Sequence, residues 1–287
     1  MNQPMKARRG GPRVDLSRAV RDVGYEVIPF KKTADAVRAH VPRDVSLTVT
    51  ASPAKGQDAT IDLAERLAAD GYTVTPHLSA QLVRDRVHLQ DVVARCRAAG
   101  VRSVFVVGGD RTETPGPFPD ALALLREVHD VGHGFTRIGV GGHPEGHPSV
   151  GPDVLLQALR AKAALATHIT TQIVFDHEVI LRWARDVKRQ GIDLPVHVGV
   201  PGAVTRQKLL RVCGGLGIGE SAKFLAKQQK MFWRFFVPGG YHPGRIIKGL
   251  VPHLGRDDNN LAGFHVFTFN DLEPTEQWRQ RVGSLGG

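Results

Sequence analysis

The residues of this chain best suited to chemistry close or interrupt short apolar runs. Glu26 lies inside Tyr25-Glu26-Val27-Ile28-Pro29, where an unpaired carboxylate is costly and the protonated form is favoured, as a general acid requires. The competing reading has Glu26 pointing into solvent or pairing with Lys31 or Lys32. Asp110 follows Val106-Val107-Gly108-Gly109; its carboxylate would stabilise a developing cation, or would simply cap the next turn. Gln172, in Thr170-Thr171-Gln172-Ile173-Val174, both donates and accepts hydrogen bonds, which suits the edge of a heterocycle better than acid–base work. Its other reading is a buried amide bonded to nearby backbone. Thr50, His77, His143, Glu145, His147, Asp176 and Asn270 complete the set of polar residues at such positions.

Other reaction classes are poorly served. His143-Pro144-Glu145-Gly146-His147 offers three potential metal ligands, but Pro144 and Gly146 preclude the regular helix of an HExxH site, and no metal is expected. Cys96 and Cys213 are not paired as CxxC, which argues against a disulfide framework or a cysteine zinc site. No Ser or Cys sits in a nucleophile elbow. The run Met231-Phe232-Trp233-Arg234-Phe235-Phe236 reads as a packing helix rather than a stacking platform.

The elements that must position these groups alternate. β-branched runs at Tyr25–Pro29, Ser46–Ser52, Thr73–Ser79, Ser103–Gly109, Thr136–His143, His168–Phe175, Val196–Pro201 and Phe264–Phe269 are separated by amphipathic stretches. The clearest helices are Thr60–Ala69, Leu82–Ala99, Pro119–Val128, Pro152–Ala166 and His177–Gln190. Eight strands of this kind predict an α/β fold, a (βα)8 TIM barrel, in which functional groups come from the carboxyl ends of strands. Thr205–Gly217, Glu220–Phe236 and Gly239–Leu254 predict extra helices between strands seven and eight. The rival doubly wound sheet lacks its full GxGxxG, and the Gly139-Val140-Gly141-Gly142 run is explained by a tight βα turn. Residues 1–22 read as a basic amino-terminal extension and 23–287 as one catalytic barrel.

Composition sets outer bounds. The 287 residues, 41% hydrophobic and 23% charged, fit one large soluble domain. No apolar run approaches a membrane span, and Met1 to Arg13 do not read as a signal peptide, so a cytoplasmic location is expected. A net charge of +10 favours polyanionic partners: phosphorylated cofactors, polyanionic substrates or nucleic acid. The absence of a helix-turn-helix, finger or RNP signature argues against specific nucleic-acid binding.

These residues also carry a resemblance. Tyr25-Glu26-Val27-Ile28-Pro29-Phe30 is similar to the FEFFPP opening of the methylenetetrahydrofolate reductase family, Pro76-His77-Leu78-Ser79 to PHLTC, and Val107-Gly108-Gly109-Asp110 to LRGD. Gly142-His143-Pro144-Glu145-Gly146-His147-Pro148 resembles YPExHPE, and Ile169-Thr170-Thr171-Gln172-Ile173-Val174-Phe175-Asp176 resembles ITQxFFD. Gly191 to Val200 is similar to GIxVPIIPGI, and His265-Val266-Phe267-Thr268-Phe269-Asn270 to HFYTLN, all in the family's order.

The resemblance implies reduction of 5,10-methylenetetrahydrofolate to 5-methyltetrahydrofolate. Glu26 would protonate N10 and open the five-membered ring, Asp110 would stabilise the resulting cation and hold the pterin, Gln172 would hydrogen-bond the pterin or cofactor ring, and Asn270 would help to bind the substrate. Thr50, His77, Gly109, His143 and His147 would lie against the cofactor. The chain departs from flavin-containing members in three places. Leu159 to Ala166 lacks the glycine of the phosphate-clamping AGA segment, His143 replaces a tyrosine, and Gly108 replaces an arginine. The version implied is therefore the flavin-free one, with hydride passing directly from NADH; an FAD enzyme is the second reading. Asp271, where the family has arginine, points to a different grip on the folate tail.

Overall fold

The computed structural model describes residues 15–109, 116–147, 150–174, 176–203 and 244–284. Eight parallel strands close into a barrel in sequence order: β1 (Gly24–Val27), β2 (Leu47–Val49), β3 (Val74–Ser79), β4 (Ser103–Val107), β5 (Arg137–Gly142), β6 (His168–Thr171), β7 (Val196–Pro201) and β8 (Leu261–Phe267). Around them lie α1 (Leu16–Arg21), α2 (Thr33–His40), α3 (Gly56–Ala69), α4 (Arg86–Ala98), α5 (Ala121–Asp130), α6 (Pro152–Ala163), α7 (His177–Arg189), α8 (Gly244–Leu250) and α9 (Leu272–Gly283). The expected (βα)8 architecture is therefore present, and α8 is the described part of the helices expected between the last two strands. The segments Thr205–Gly217 and Glu220–Phe236 lie outside the described residues.

Helix starts follow their caps. The carboxylates of Asp85, Asp120 and Asp176 accept from the backbone N–H of His88 (2.7 Å), Ala123 (2.8 Å) and Glu178 (2.9 Å), each cap contributing about 1 kcal/mol. These caps set the starts of α4 and α5 later than Leu82 and Pro119. They also make Asp176, one of the polar candidates, a structural residue.

The sequence reading contains no counterpart of α1, α2 or α9. Ser17 Oγ and Arg21 Nη1 both donate to the carbonyl of Gly283, at 2.7 and 2.8 Å, so residues 16–22 pack on α9 as part of the barrel. Tyr25 donates to Glu276 (2.8 Å), which also accepts from Arg279 (2.8 and 2.9 Å). Burial and that carboxylate push the Tyr25 phenol far up, and it remains a donor.

Strand alternation decides what faces the axis. Such barrels usually fill the axis with branched apolar side chains, but here those side chains face outward. Tyr25, Val27, Leu47, Val49, Leu78, Val140 and Ile169 are fully buried between strands and helices. Glu26, Thr48, Thr75 and His77 face inward and retain more exposure. Register joins Glu26 to Thr48 and Thr48 to Thr75, then His77 to Phe105, Phe105 to Gly139 and Gly139 to His168.

Gly139 owes its identity to this interior rather than to a turn. A Cβ there would lie 2.5 Å from a Phe105 ring carbon and 2.6 Å from His168 Nε2, closer than packed atoms tolerate.

Candidate active site

A cavity of about 910 Å³ occupies the barrel axis and its mouth. At its centre stands Glu26, held by β1, with its side chain 13% exposed. Its Oε2 lies 3.3 Å from His265 Nε2 of β8 and 3.7 Å from His77 Nε2 of β3. Burial lowers the His77 pKa to about 4, against the attraction of Glu26, so at neutral pH this ring is an uncharged neighbour of the carboxyl group. Phe105 packs against it, with ring centroids 4.8 Å apart. The expectation that Glu26 points outward or pairs with Lys31 or Lys32 does not hold, since its partners are axial imidazoles.

The turn after β8 fixes the height of Glu26. Thr268 Oγ1 donates to the Glu26 carbonyl at 2.5 Å. Asn270 accepts from Ile28 N (2.8 Å) and donates to Ile28 O (2.9 Å) and Thr33 Oγ1 (2.8 Å). Phe269 and Asn270 both adopt positive φ, 50° and 57°, a conformation that costs a non-glycine residue of order 1 kcal/mol and needs support from its surroundings. Those hydrogen bonds provide it. Asn270 therefore clamps β1 to the turn and lies outside the cavity lining, which replaces its expected contact with substrate by a positioning role.

The other candidates gather at the mouth. Thr50, Gln172, His143, His147 and Gly109 all line the cavity. Gln172 Oε1 accepts from Ile173 N at 2.9 Å, leaving its NH2 group as the donor for a ligand. His143 and His147 meet edge to face at 5.4 Å. Gly109 has φ +105°, and a Cβ there would strike Gln81 Oε1 at 2.5 Å, so both conformation and space demand glycine. Gly108 is different, since the nearest atom to a Cβ there is Ala121 N at 3.8 Å. Asp110 lies outside the described residues. No cluster of three or more His, Cys, Asp or Glu that could hold a metal occurs among the described residues.

Several lining residues escaped the sequence reading: His265, His168, His197, Arg137, Gln81 and Lys162. His168 and His197 meet edge to face at 5.6 Å. Burial lowers their pKa values to about 3 and about 4, and the positive Arg137 beside them acts in the same direction. Burial also lowers Lys162, against the pull of Asp120. The signal was parity: His168, Thr170 and Gln172 share one face of β6 and its extension, as do His265 and Phe267 on β8.

Comparison with known proteins agrees with the fold and adds a family. Two solved structures superpose over almost the whole chain. A putative phosphonomutase from Burkholderia cenocepacia J2315 is 14% identical, covers 93% of this chain and 96% of its own, and gives a TM-score of 0.51. A 2,3-dimethylmalate lyase is 11% identical, covers 94% and 91%, and gives the same TM-score of 0.51. At such identities they speak for the barrel alone. A probable methylenetetrahydrofolate reductase (NADH) from Oryza sativa subsp. japonica is 25% identical over 199 residues, 63% of this chain and 33% of the relative. Methylenetetrahydrofolate reductase (NADH) 1 of Arabidopsis thaliana is 27% identical over 136 residues, 41% of this chain and 23% of the relative. A probable methylenetetrahydrofolate reductase (NADPH) of Caenorhabditis elegans is 29% identical over 126 residues, 41% and 19% of the respective chains. The matches thus span between about a fifth and a third of these relatives' lengths. The family model for methylenetetrahydrofolate reductase matches residues 28–213, most of the barrel; the chain belongs to the methylenetetrahydrofolate reductase family.

Proposed function

We propose that the chain reduces 5,10-methylenetetrahydrofolate to 5-methyltetrahydrofolate, with NADH as direct hydride donor and Glu26 as general acid. The observation that carries this reading is the Glu26 carboxyl group on the barrel axis, 3.3 Å from His265 and 3.7 Å from His77, beneath a mouth lined by Gln172. Both Glu26 and His265 lie outside the matched stretch 28–213; the acid role of Glu26 rests on the motif resemblance around it and on this geometry. The carboxyl group gives its proton to N10 as the bond from N10 to the methylene carbon breaks. The electron pair stays on N10, and the methylene carbon becomes a 5-iminium cation. NADH, when bound, supplies the hydride that turns this carbon into the methyl group. One proton is consumed and Glu26 is left as a carboxylate.

The remaining residues orient and neutralise. Gln172 offers its NH2 group to the pterin edge, and Asp110 is assigned the stabilisation of the cation. Thr50, His77, Gly109, His143 and His147 would hold the nicotinamide cofactor. Lys162, which lines the cavity, supplies a cation for its phosphates. The case against resident FAD is the missing glycine of the phosphate-clamping segment in Leu159 to Ala166, with Gly108 where the family carries arginine and His143 where it carries tyrosine.

The test uses the purified chain. Glu26→Gln is expected to lower methylene reduction by roughly two to four powers of ten while leaving the circular dichroism spectrum unchanged; near-normal turnover would remove Glu26 as the acid. Wild-type protein is expected to show no flavin absorbance, and its initial rates against both substrates to give intersecting lines. Parallel lines, with activity appearing only after FAD is added, would establish the flavoenzyme instead.

A further inference from the structure

The proposed reaction leaves Glu26 deprotonated after every turnover, and the structure offers a way to recharge it; this inference rests on the acid role of Glu26. With a pterin lying over the carboxyl group, its mouth side is covered. The other side opens downward. The same cavity that contains Glu26 is also lined by Asp22, Ser46, Thr73, Ser103 and Arg137, which sit before or at the starts of the strands, at the amino-terminal end of the barrel. Ser46, Thr73 and Arg137 are exposed there. A barrel axis normally blocked by packed side chains here holds a cavity whose lining includes residues from both ends of the barrel.

His265 stands across this cavity with its two nitrogens facing opposite ways. Nε2 lies 3.3 Å from Glu26 Oε2. Nδ1 faces the amino-terminal side, where a Cβ placed on Gly24 would lie 3.8 Å from Nδ1 and 2.9 Å from Ser46 Oγ. Nδ1 and the serine hydroxyl thus border one point beside Gly24, where water entering from that end would reach both. The charged and titratable groups that interact with the ring are Glu26 from β1, His77 from β3, His168 from β6 and His197 from β7, the last two of which also feel Arg137 of β5. An imidazole carries two ring nitrogens, one able to accept a proton while the other gives one up, the pair a proton relay needs.

We infer that the barrel interior is a proton-delivery shaft, in which protons entering at the amino-terminal face past Ser46 reach His265 Nδ1 while the proton on His265 Nε2 passes to Glu26. The ring ends neutral with its N–H on Nδ1, and tautomer exchange, loss of that proton to water and gain of one at Nε2 once product has left, restores the starting state. One proton enters for each one given to N10, so no other reactant is required. His265 is a relay residue, acting through Glu26 and not on the substrate.

The experiment compares His265→Asn, Ser46→Val, Gly24→Val and Glu26→Gln with the wild type, in zwitterionic buffer with and without added imidazole. His265→Asn is expected to lower kcat by roughly 10- to 100-fold, less than loss of the acid itself, with unchanged KM for both substrates, an increased solvent deuterium isotope effect and partial rescue by imidazole. Ser46→Val and Gly24→Val, which line the path without touching Glu26, are expected to show a smaller fall with the same isotope and rescue signature. A purely structural role for His265 would give no rescue and no isotope effect. Unchanged kcat in His265→Asn while Glu26→Gln is inactive overturns the relay and leaves the acid role intact. An active Glu26→Gln overturns the reading on which the relay rests. If His265→Asn fails to fold, the path variants decide: buffer-independent, wild-type kcat in both refutes delivery through the shaft.

Discussion

His168→Asn should make the protein less sensitive to acid, and the size of the effect follows from the site. His168 is 7% exposed, and its pKa is held at about 3 by burial first and then by His197 and Arg137. In the unfolded chain the ring titrates near the ordinary histidine value of about 6.5. A folded-state pKa below the unfolded one means that the unfolded chain binds the extra proton. The contribution to stability is therefore complete above about pH 6.5 and is lost as pH falls towards 3. At pH 5 the loss is about 1.5 pH units multiplied by 1.36 kcal/mol, or about 2 kcal/mol, which for a barrel of this size is roughly 4–8 °C in Tm. His77 and His197, both at about 4, behave in the same way over that interval. The assay is urea unfolding of wild type and His168→Asn at pH 8, 7, 6 and 5. Because every other titrating group is common to both proteins, the difference between their pH dependences isolates His168. A wild type that loses about 2 kcal/mol more than the variant between pH 8 and pH 5 supports neutral interior imidazoles; parallel curves would show that His168 is already charged or exposed and would refute the argument.

Two further substitutions test the framework around the site. Gly139→Ala should destabilise the barrel by about 1–3 kcal/mol, because its methyl group would meet Phe105 and His168 at 2.5 and 2.6 Å; an unchanged urea midpoint would mean that the interior is looser than described. Asn270→Ala removes three hydrogen bonds to Ile28 and Thr33. It should cost about 1–3 kcal/mol, chiefly by leaving the Ile28 N–H unpaired, since the Ile28 carbonyl still accepts from Thr33 Oγ1 and Phe30 N, and it should lower kcat more than it raises KM, since Asn270 positions β1. A change confined to KM would return Asn270 to the binding site.

The barrel was legible because strand and helix periodicities alternate along the chain, and that alternation survives wherever a strand is backed by a helix. The contents of its axis were not. Period-two patterning tells which residues share a face, but the pattern is the same whether the apolar set points inward or outward. Thr73-Val74-Thr75-Pro76-His77-Leu78-Ser79 reads identically either way; the answer lies in the helices that cover Val74 and Leu78. Once Glu26, His77 and Gln172 are assigned to the inside, parity places Thr48, His168 and His265 beside them, and the interior becomes polar before any coordinate is known. Asp176 and Asn270 fail for another reason: a polar side chain at a strand end serves a backbone as readily as a ligand, and only hydrogen-bond partners separate the two uses. An axis that keeps an acid, four imidazoles and a guanidinium around a continuous cavity gives up the packing that stabilises ordinary barrels. The outer layer between strands and helices must therefore carry more of the stability, and the fully buried aliphatic faces of β1, β2 and β6 are where it is carried.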